Sequence, residues 1–206
     1  MIKRFCIAGL LAAAVTSTPA AHIIWVTGNS DGPVLPSPDD VGWTDLLTAA
    51  GHTVERRVIW FLDGDDTAFA DMTAADLVIV SRDTNHNLLN TTTAEADRWN
   101  CITTPMIVQN AYVVREVRWR WTSGNIARVN VGLAMEATEP QHAVFDNVPL
   151  DVNNDVFIHD AKVDTVNPSD PGNGILLARA ADNLSQWLTY WEPGVEFYDG
   201  SGNHAG

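Results

Sequence analysis

The sequence ADLVIVSR at residues 75–82 is an apolar run rich in β-branched residues that ends in polar side chains. A run of this length and composition is typical of a strand that is buried on both faces of a parallel sheet. The segments HIIWVT at residues 22–27 and PMIVQN at residues 105–110 have the same character. The three segments therefore predict central strands of one parallel sheet.

Helical patterns separate these predicted strands. Ser37 has the side chain of an N-cap residue, and Pro38 suits the first position of a helix. Apolar residues then recur at helical spacing and predict one core-facing side: Trp43, Leu46, Leu47 and Ala50. Thr92 and Glu95 form a capping box at the start of a later helix. Strands that alternate with capped helices predict an α/β domain with a mainly parallel sheet that is covered on both faces.

The part of the chain after Tyr112 lacks this alternation. Residues 155–159, 174–178 and 186–191 are short apolar runs that predict further strands. The last two are separated by a short polar connection, so they predict an antiparallel hairpin at an edge of the sheet.

The composition restricts the class of protein. The chain has 206 residues, of which 46% are hydrophobic, and a formal net charge of −14. This apolar content is enough for a hydrophobic core and excludes a wholly disordered chain. The negative charge repels phosphate backbones, so nucleic acid is not an expected partner.

The first 21 residues, MIKRFCIAGLLAAAVTSTPAA, have the three parts of a secretory signal peptide. Lys3 and Arg4 precede an apolar run that is too short to span a bilayer, and small residues follow it. We expect cleavage after Ala20 or Ala21 and a secreted protein, extracellular or periplasmic, without a membrane partner. An uncleaved N-terminal anchor helix is the alternative.

The remaining chain, residues 22–206, is predicted to be one domain. Cys101 is the only cysteine after the signal segment, so no intramolecular disulfide is expected. Residues 199–206 follow a strand-like run and contain no hydrophobic tail or sorting signal. We expect the domain to be truncated there, which leaves room for further domains after residue 206.

The order of short motifs along the chain resembles the class I glutamine amidotransferase-like superfamily, and within it the ThuA-like branch and its secreted bacterial relatives. The motifs that carry the resemblance are HIIWVTGNSD from His22, LLTAAGHTV from Leu46, ADLVIVSR from Ala75, WNCITTPMIVQNAY from Trp99, EPQHAVFDNV from Glu139 and WEPGVEFYDGSG from Trp191. The resemblance implies a flavodoxin-like three-layer sandwich. ThuA-like proteins are linked to sugar metabolism, which implies a carbohydrate ligand.

The catalytic residues of that superfamily are absent from the matching positions. In the family, the strand that begins with a Lys-Pro or Thr-Pro pair ends in an elbow with a nucleophilic Cys. Alignment on Pro105 places Asn110 at that position, and an amide is not a nucleophile. The family's His-x-Glu pair is also missing, since His204, the nearest candidate, is followed by Ala205 and Gly206. The resemblance thus implies the fold and argues against glutaminase chemistry.

Ligands of open parallel sheets bind beyond the carboxyl ends of the strands. The residues that the sequence places there are the predicted ligand-binding residues: Asn29, Ser30, Ser81, Arg82, Asn110, Tyr112 and Arg115. Arg82 is the expected anchor for an anion, because it ends an apolar strand where an unpaired guanidinium is costly. An internal partner for Arg82, such as Asp31 or Asp83, is the alternative. The expected ligand is a small polar molecule or a carbohydrate.

Ser81, Asp83 and His86 also allow a hydrolase hypothesis. Ser81 would be the nucleophile and His86 its base, although the sequence has no Gly-x-Ser-x-Gly elbow. The alternative is a hydrogen-bonded loop that caps the sheet. A third hypothesis is a non-catalytic structural module of a larger exported protein.

Arginine and tryptophan residues are concentrated in one basic segment: Arg115, Arg118, Trp119, Arg120, Trp121 and Arg128. The guanidinium groups suit a carboxylate or sulfate, and the indole rings suit stacking on a sugar. Alternatively, the arginine stems cover the indoles and pair with acids such as Glu116 and Glu136.

Two polar runs contain oxygen ligands of the kind that calcium prefers: Asp63, Asp65 and Asp66, and then Asp151, Asn153, Asn154 and Asp155. Neither run fits the twelve-residue calcium loop, and both are typical of Asx turns. The histidines lack the spacing of a zinc site. No metal and no cofactor is expected.

Overall fold

The computed structural model describes residues 19–28, 38–59, 61–89, 92–129, 134–157, 163–167, 170–181 and 184–206. Most of the predicted signal peptide, the helix cap Ser37 and the candidate residues Asn29, Ser30 and Asp31 lie outside the described residues. Within the described part, no helix is both long and apolar enough to cross a membrane.

The first half of the chain forms the predicted parallel sheet. Its strands are β1 (His22–Thr27), β2 (Thr53–Val58), β3 (Leu77–Val80) and β4 (Met106–Val108). They pair in the order β2-β1-β3-β4, and every pair is parallel. The helices are α1 (Pro38–Ala49), α2 (Asp66–Ala74), α3 (Thr93–Asn100) and the short α4 (Ala111–Val114). The predicted α/β class is confirmed.

Both faces of the central strands β1 and β3 are buried, as their uninterrupted apolar runs predict. The prediction that β4 is a buried central strand is wrong, because β4 lies at the edge of the sheet and Ile107 is 48% exposed. Successive residues of a strand point to opposite faces. Ile24 and Val26 belong to a core that includes residues of α2 and α3, whereas Ile23 and Trp25 pack on the other face with Leu47 of α1. The sheet therefore lies between helices on both sides.

The second half of the chain forms a separate antiparallel sheet. Its strands are β5 (Asn125–Val129), β6 (Ala134–Ala137), β7 (Asp155–Phe157), β8 (Val163–Asn167), β9 (Ile175–Ala180) and β10 (Gln186–Tyr190). They pair in the order β5-β8-β10-β9-β6-β7.

The predicted hairpin of residues 174–178 and 186–191 is antiparallel, as expected. The prediction that it extends an edge of the parallel sheet is wrong, because both strands lie inside the second sheet. The physical reason is the short connections: a parallel crossover needs about a dozen residues or more, whereas short turns join antiparallel neighbours.

Helix α1 buries a different side from the predicted one. Trp43 is 54% exposed and Leu46 is 63% exposed, whereas Asp40 and Thr44 are buried. The apolar periodicity predicted the wrong face because the carboxyl group of Asp40 is directed towards polar groups at the end of the sheet.

Candidate functional site

The loops that follow β1 and β3 meet at the carboxyl edge of the parallel sheet. A Cβ atom added to Gly28 would overlap the carbonyl oxygen of Asp83. Only glycine permits this approach of the two backbones, so Gly28 fixes the distance between the loops.

A closed hydrogen-bond network lies beneath these loops. The hydroxyl groups of Thr27 and Ser81 both donate to the carboxyl group of Asp40, the latter over 2.6 Å. The Oγ atom of Ser81 also accepts from the backbone N–H of Asp83 at 3.1 Å. All three network residues are at most 2% exposed. Thr27, Asp40 and Ser81 are called the Asp40 network below.

The network accounts for Ser81 without a catalytic role. Its hydroxyl donates to Asp40, and among the described contacts it has no hydrogen bond to His86. Because Ser81 is fully buried, an external substrate does not reach it in this conformation. The geometry that the hydrolase hypothesis requires is thus not present in the described structure.

Asn110 joins β4 to the loop after β3. Its side-chain oxygen accepts from the N–H of Tyr112 at 3.1 Å and caps α4. Its amide group donates to the carbonyl oxygens of Thr84 at 2.9 Å and Arg82 at 3.3 Å. Asn110 therefore stands at a strand-to-helix junction, where its bonds hold two loops together.

A second polar group, more exposed than the Asp40 network, lies at the same edge. The rings of His86 and Tyr112 stack with centroids 4.8 Å apart, and the guanidinium of Arg115 lies 5.2 Å from the Tyr112 ring centroid. Arg118 donates to the carbonyl oxygen of His86 at 2.6 Å and to the side chain of Asn87 at 2.9 Å. His86, Tyr112, Arg115 and Arg118 are called the cationic cluster below.

Ion pairing distinguishes the arginines of this cluster from other arginines of the chain. Neither Arg115 nor Arg118 forms an ion pair with a carboxylate of the described residues. The acid Glu136, expected from the sequence to pair with this segment, pairs instead with Arg179 at 2.7 Å. The neighbouring Arg120 differs, since it pairs with Asp97 at 3.0 Å.

The pKa values of the cluster reflect its burial and its charge. Burial lowers the pKa of Arg118, and the nearby charge of Arg115 lowers it further. Burial also lowers the pKa of His86, with smaller contributions from Arg118 and Arg115. The imidazole of His86 is therefore neutral at pH 7.

Tyr112, Arg82 and Asp83, which the sequence also places at this edge, have other contacts. The hydroxyl of Tyr112 donates to Asp164 at 3.1 Å. Arg82 is exposed, so the burial cost that made it the expected anchor does not arise. Arg82 and Asp83 both take part in interactions with other groups.

The tryptophans of the basic segment do not face this cluster. Trp119 is completely buried, stacks on Trp99 with centroids 4.9 Å apart and donates to the carbonyl oxygen of Leu89 at 2.8 Å. Trp121 stacks on Phe197 at 4.9 Å. The expectation that Trp119 presents its face to a sugar is wrong, because the core takes up that ring.

Two cavities adjoin the described site. A hollow of about 410 Å³ lies beside Arg118, and its lining also includes Arg120, Glu116 and the start of α3. A larger groove of about 770 Å³ runs between the outer edge of β4 and the antiparallel sheet. Aromatic rings line much of the groove: Trp121, His142, Trp187, Tyr190, Trp191 and Phe197. Both volumes fall in the range of small-molecule sites.

The two aspartate-rich runs are turns and caps in the structure. Asp65 accepts from the N–H of Ala68 and caps α2, and Asp66 pairs with Arg98. Asp151 accepts from the N–H groups of Asn153 and Asp155. Within the described ranges, no group of three or more His, Cys, Asp or Glu residues has the arrangement of a metal site.

The sequence did not predict the role of Asp40. It was interpreted only as an acidic residue at a helix N-terminus, and its burial was not expected. A signal existed, since Thr27 ends a fully apolar strand and its buried hydroxyl needs an acceptor. The contact between His86 and Tyr112 had no sequence signal, because the two residues follow different strands.

The chain was compared with known families, curated sequences and solved structures. No protein-family model and no curated protein matches it. A crystal structure of a ThuA-like protein from Bacteroides uniformis is similar, with a TM-score of 0.54 and 12% sequence identity. The match covers 88% of this chain and 79% of that protein. At this identity the likeness concerns the fold, which is therefore ThuA-like.

Proposed function

We propose that this chain is a ThuA-like domain of the class I glutamine amidotransferase-like superfamily that binds a small polar or carbohydrate ligand and has no glutaminase activity. The strand order β2-β1-β3-β4 matches the first four positions of the flavodoxin-like order, which supports this assignment. The similarity in fold to the ThuA-like protein supports it as well.

The cationic cluster carries the proposal. It lies beyond the carboxyl ends of β3 and β4, the edge where open parallel sheets bind ligands. Its side chains come from the loop after β3 and from the segment that begins with α4, and the stacked rings of His86 and Tyr112 join the two. The polar groups of the Asp40 network are already satisfied by one another, so they are not available to a ligand.

The absence of glutaminase activity rests on Asn110. This residue lies two positions after the end of β4 and caps α4, at the junction where the resemblance places the nucleophilic Cys. Its amide is engaged with Tyr112, Thr84 and Arg82, and it has no thiolate to attack a glutamine side chain.

Export of the domain is part of the proposal. The basic start, the short apolar run and the small residues of the first 21 positions support a cleaved signal peptide. Cleavage after Ala20 or Ala21 would leave β1, which begins at His22, intact.

The aromatic groove is a second candidate location for a carbohydrate. Trp187 and Trp191 line it, and such rings provide faces on which sugars pack. In the cationic cluster, by contrast, the ring of Tyr112 already contacts His86 and Arg115.

Thermal unfolding with a panel of neutral and acidic monosaccharides tests the proposal. A ligand that binds only the folded chain raises its Tm. We expect at least one sugar to raise the Tm of the wild type and of His142→Ala, a groove variant, but not of His86→Ala. No increase with any sugar, or the same increase in His86→Ala, would contradict a site at the cationic cluster.

A further inference from the structure

We infer that the ligand of the cationic cluster is a small anion with a carboxylate or sulfate group, and that Arg115 and Arg118 bind this group. The inference rests on the proposed function, because it names the chemistry of a ligand for the same site.

Neutral acceptors hold both guanidinium groups. Arg118 donates to the carbonyl oxygen of His86 and to the amide oxygen of Asn87. Arg115 donates to the carbonyl oxygen of Tyr112 at 3.1 Å and to the amide oxygen of Asn125 at 3.2 Å. These bonds orient the two side chains but leave their charge uncompensated, as an anion site requires.

Each guanidinium retains donor capacity. A guanidinium has five N–H donors, and the bonds described above use only part of them. The N–H donors that remain are those through which an anion would be bound.

The charge of the whole chain favours a small anion over a polyanion. At a formal net charge of −14, the surface repels nucleic acids and long acidic polymers. A single carboxylate or sulfate needs only the local field of Arg115 and Arg118. The hollow of about 410 Å³ beside Arg118 has room for a molecule of the size of a monosaccharide.

Two carboxylates lie near these arginines. Glu116 lines the hollow together with Arg118 and Arg120. Asp164 accepts from the hydroxyl of Tyr112 and takes part in a further interaction. Burial and these arginines keep His86 neutral by lowering its pKa, so it adds a hydrogen-bonding group rather than further charge.

Calorimetric titration with matched sugars tests the inference. The probes are D-glucuronate and D-glucose 6-sulfate, each compared with uncharged D-glucose at low salt. We expect at least one of the charged sugars to bind at least tenfold more tightly than glucose, and added salt to weaken its binding.

Three variants that each remove one positive charge show which arginines bind the charged sugar. Arg115→Gln and Arg118→Gln should each weaken binding of the charged sugar about tenfold or more. Arg179→Gln is the matched control, because Arg179 is paired with Glu136 and lines neither cavity, and it should bind like the wild type. Unfolding curves show whether each variant is folded. If Arg118→Gln does not fold, the result for Arg115→Gln decides the test.

The outcomes separate the inference from the proposed function. If glucose binds as tightly as the charged sugars and His86→Ala abolishes binding, the anion inference is overturned but the ligand site stands. Equal loss in all three arginine variants also overturns the inference, because a general effect of charge would explain it. If none of the three sugars binds, both proposals fail for this class of ligand.

Discussion

The Asp40 network and the cationic cluster lie at the same edge of one sheet, and both are built from polar side chains. In the network, two hydroxyl groups donate to one carboxyl group. All three side chains are buried, and they satisfy one another's hydrogen bonds. In the cluster, two guanidinium groups are held by neutral oxygens and have no carboxylate partner in the described structure. Polar residues at this edge therefore differ in whether their partners are internal, and the proposed ligand site is the group whose arginines have no carboxylate partner in the described structure.

Removal of the Asp40 carboxyl group should have the largest effect on stability. Asp40→Ala leaves the buried hydroxyls of Thr27 and Ser81 without their acceptor, so the free energy of unfolding should fall by about 3–4 kcal/mol. Denaturant unfolding measures this change. Asp45→Ala, at an exposed position of the same helix, is the control and should change stability by less than about 0.5 kcal/mol. A small effect of Asp40→Ala would mean that the network is not closed.

The contact between the two loops gives the next prediction. Gly28→Ala should lower the free energy of unfolding by about 1–3 kcal/mol, because its Cβ would meet the backbone of Asp83. Gly42→Ala is the matched control: nothing lies near a Cβ at that helical position, so this variant should gain about 0.5–1 kcal/mol. Equal effects of the two substitutions would show that the loops are not held together at Gly28.

Asn110 tests whether its junction is structural or catalytic. The Asn110→Cys variant should lose about 1 kcal/mol of stability, because the bonds to Thr84 and Arg82 disappear. Neither the wild type nor the variant should release ammonia from glutamine, since no His-x-Glu pair accompanies the position. Ammonia release by the wild type would contradict the placement of Asn110 at the nucleophile position.

The pH dependence of stability is a smaller effect, and it tests the surroundings of His86 in the cationic cluster. The pKa of His86 is lowered in the folded chain by burial, Arg118 and Arg115, so the unfolded chain takes up the proton first as the pH falls. Stability should therefore decrease as the pH falls below about 6.5 and level off below the folded pKa. His86→Gln should make this decrease shallower in unfolding curves measured between pH 7 and pH 5. A bound anion should raise the pKa of His86, which NMR titration of the imidazole detects.

The parallel half of the fold could be predicted from the sequence. The apolar runs at residues 22–27 and 75–82 specify strands buried on both faces, and the cap at Thr92 opens a helix where predicted. The antiparallel half was predicted only in part, because its short strands are half-buried and their partners depend on long-range pairing. The pairing of Asn125–Val129 with Val163–Asn167, for example, has no local signal.

The candidate site was harder to predict than the fold. The sequence could place Ser81, Asn110, Tyr112 and Arg115 near the same edge, since parallel strands end together, and ligand binding there stays a prediction. The different surroundings of these residues could not be predicted from the sequence, because they depend on contacts with distant segments. Ser81 is buried with its hydroxyl on Asp40, which comes from another element, and Glu136 pairs with Arg179 rather than with the basic segment.

NMR mapping of a bound ligand tests the central claim most directly. Labelled protein is titrated with D-glucuronate, and the backbone amides that shift in a saturable manner are identified. The account predicts shifts concentrated in residues 84–88, 92–96 and 112–120, with little change at Thr27 or Asp40. Shifts concentrated along the groove at residues 187–191, or around the Asp40 network, or no saturable shift at all would contradict it.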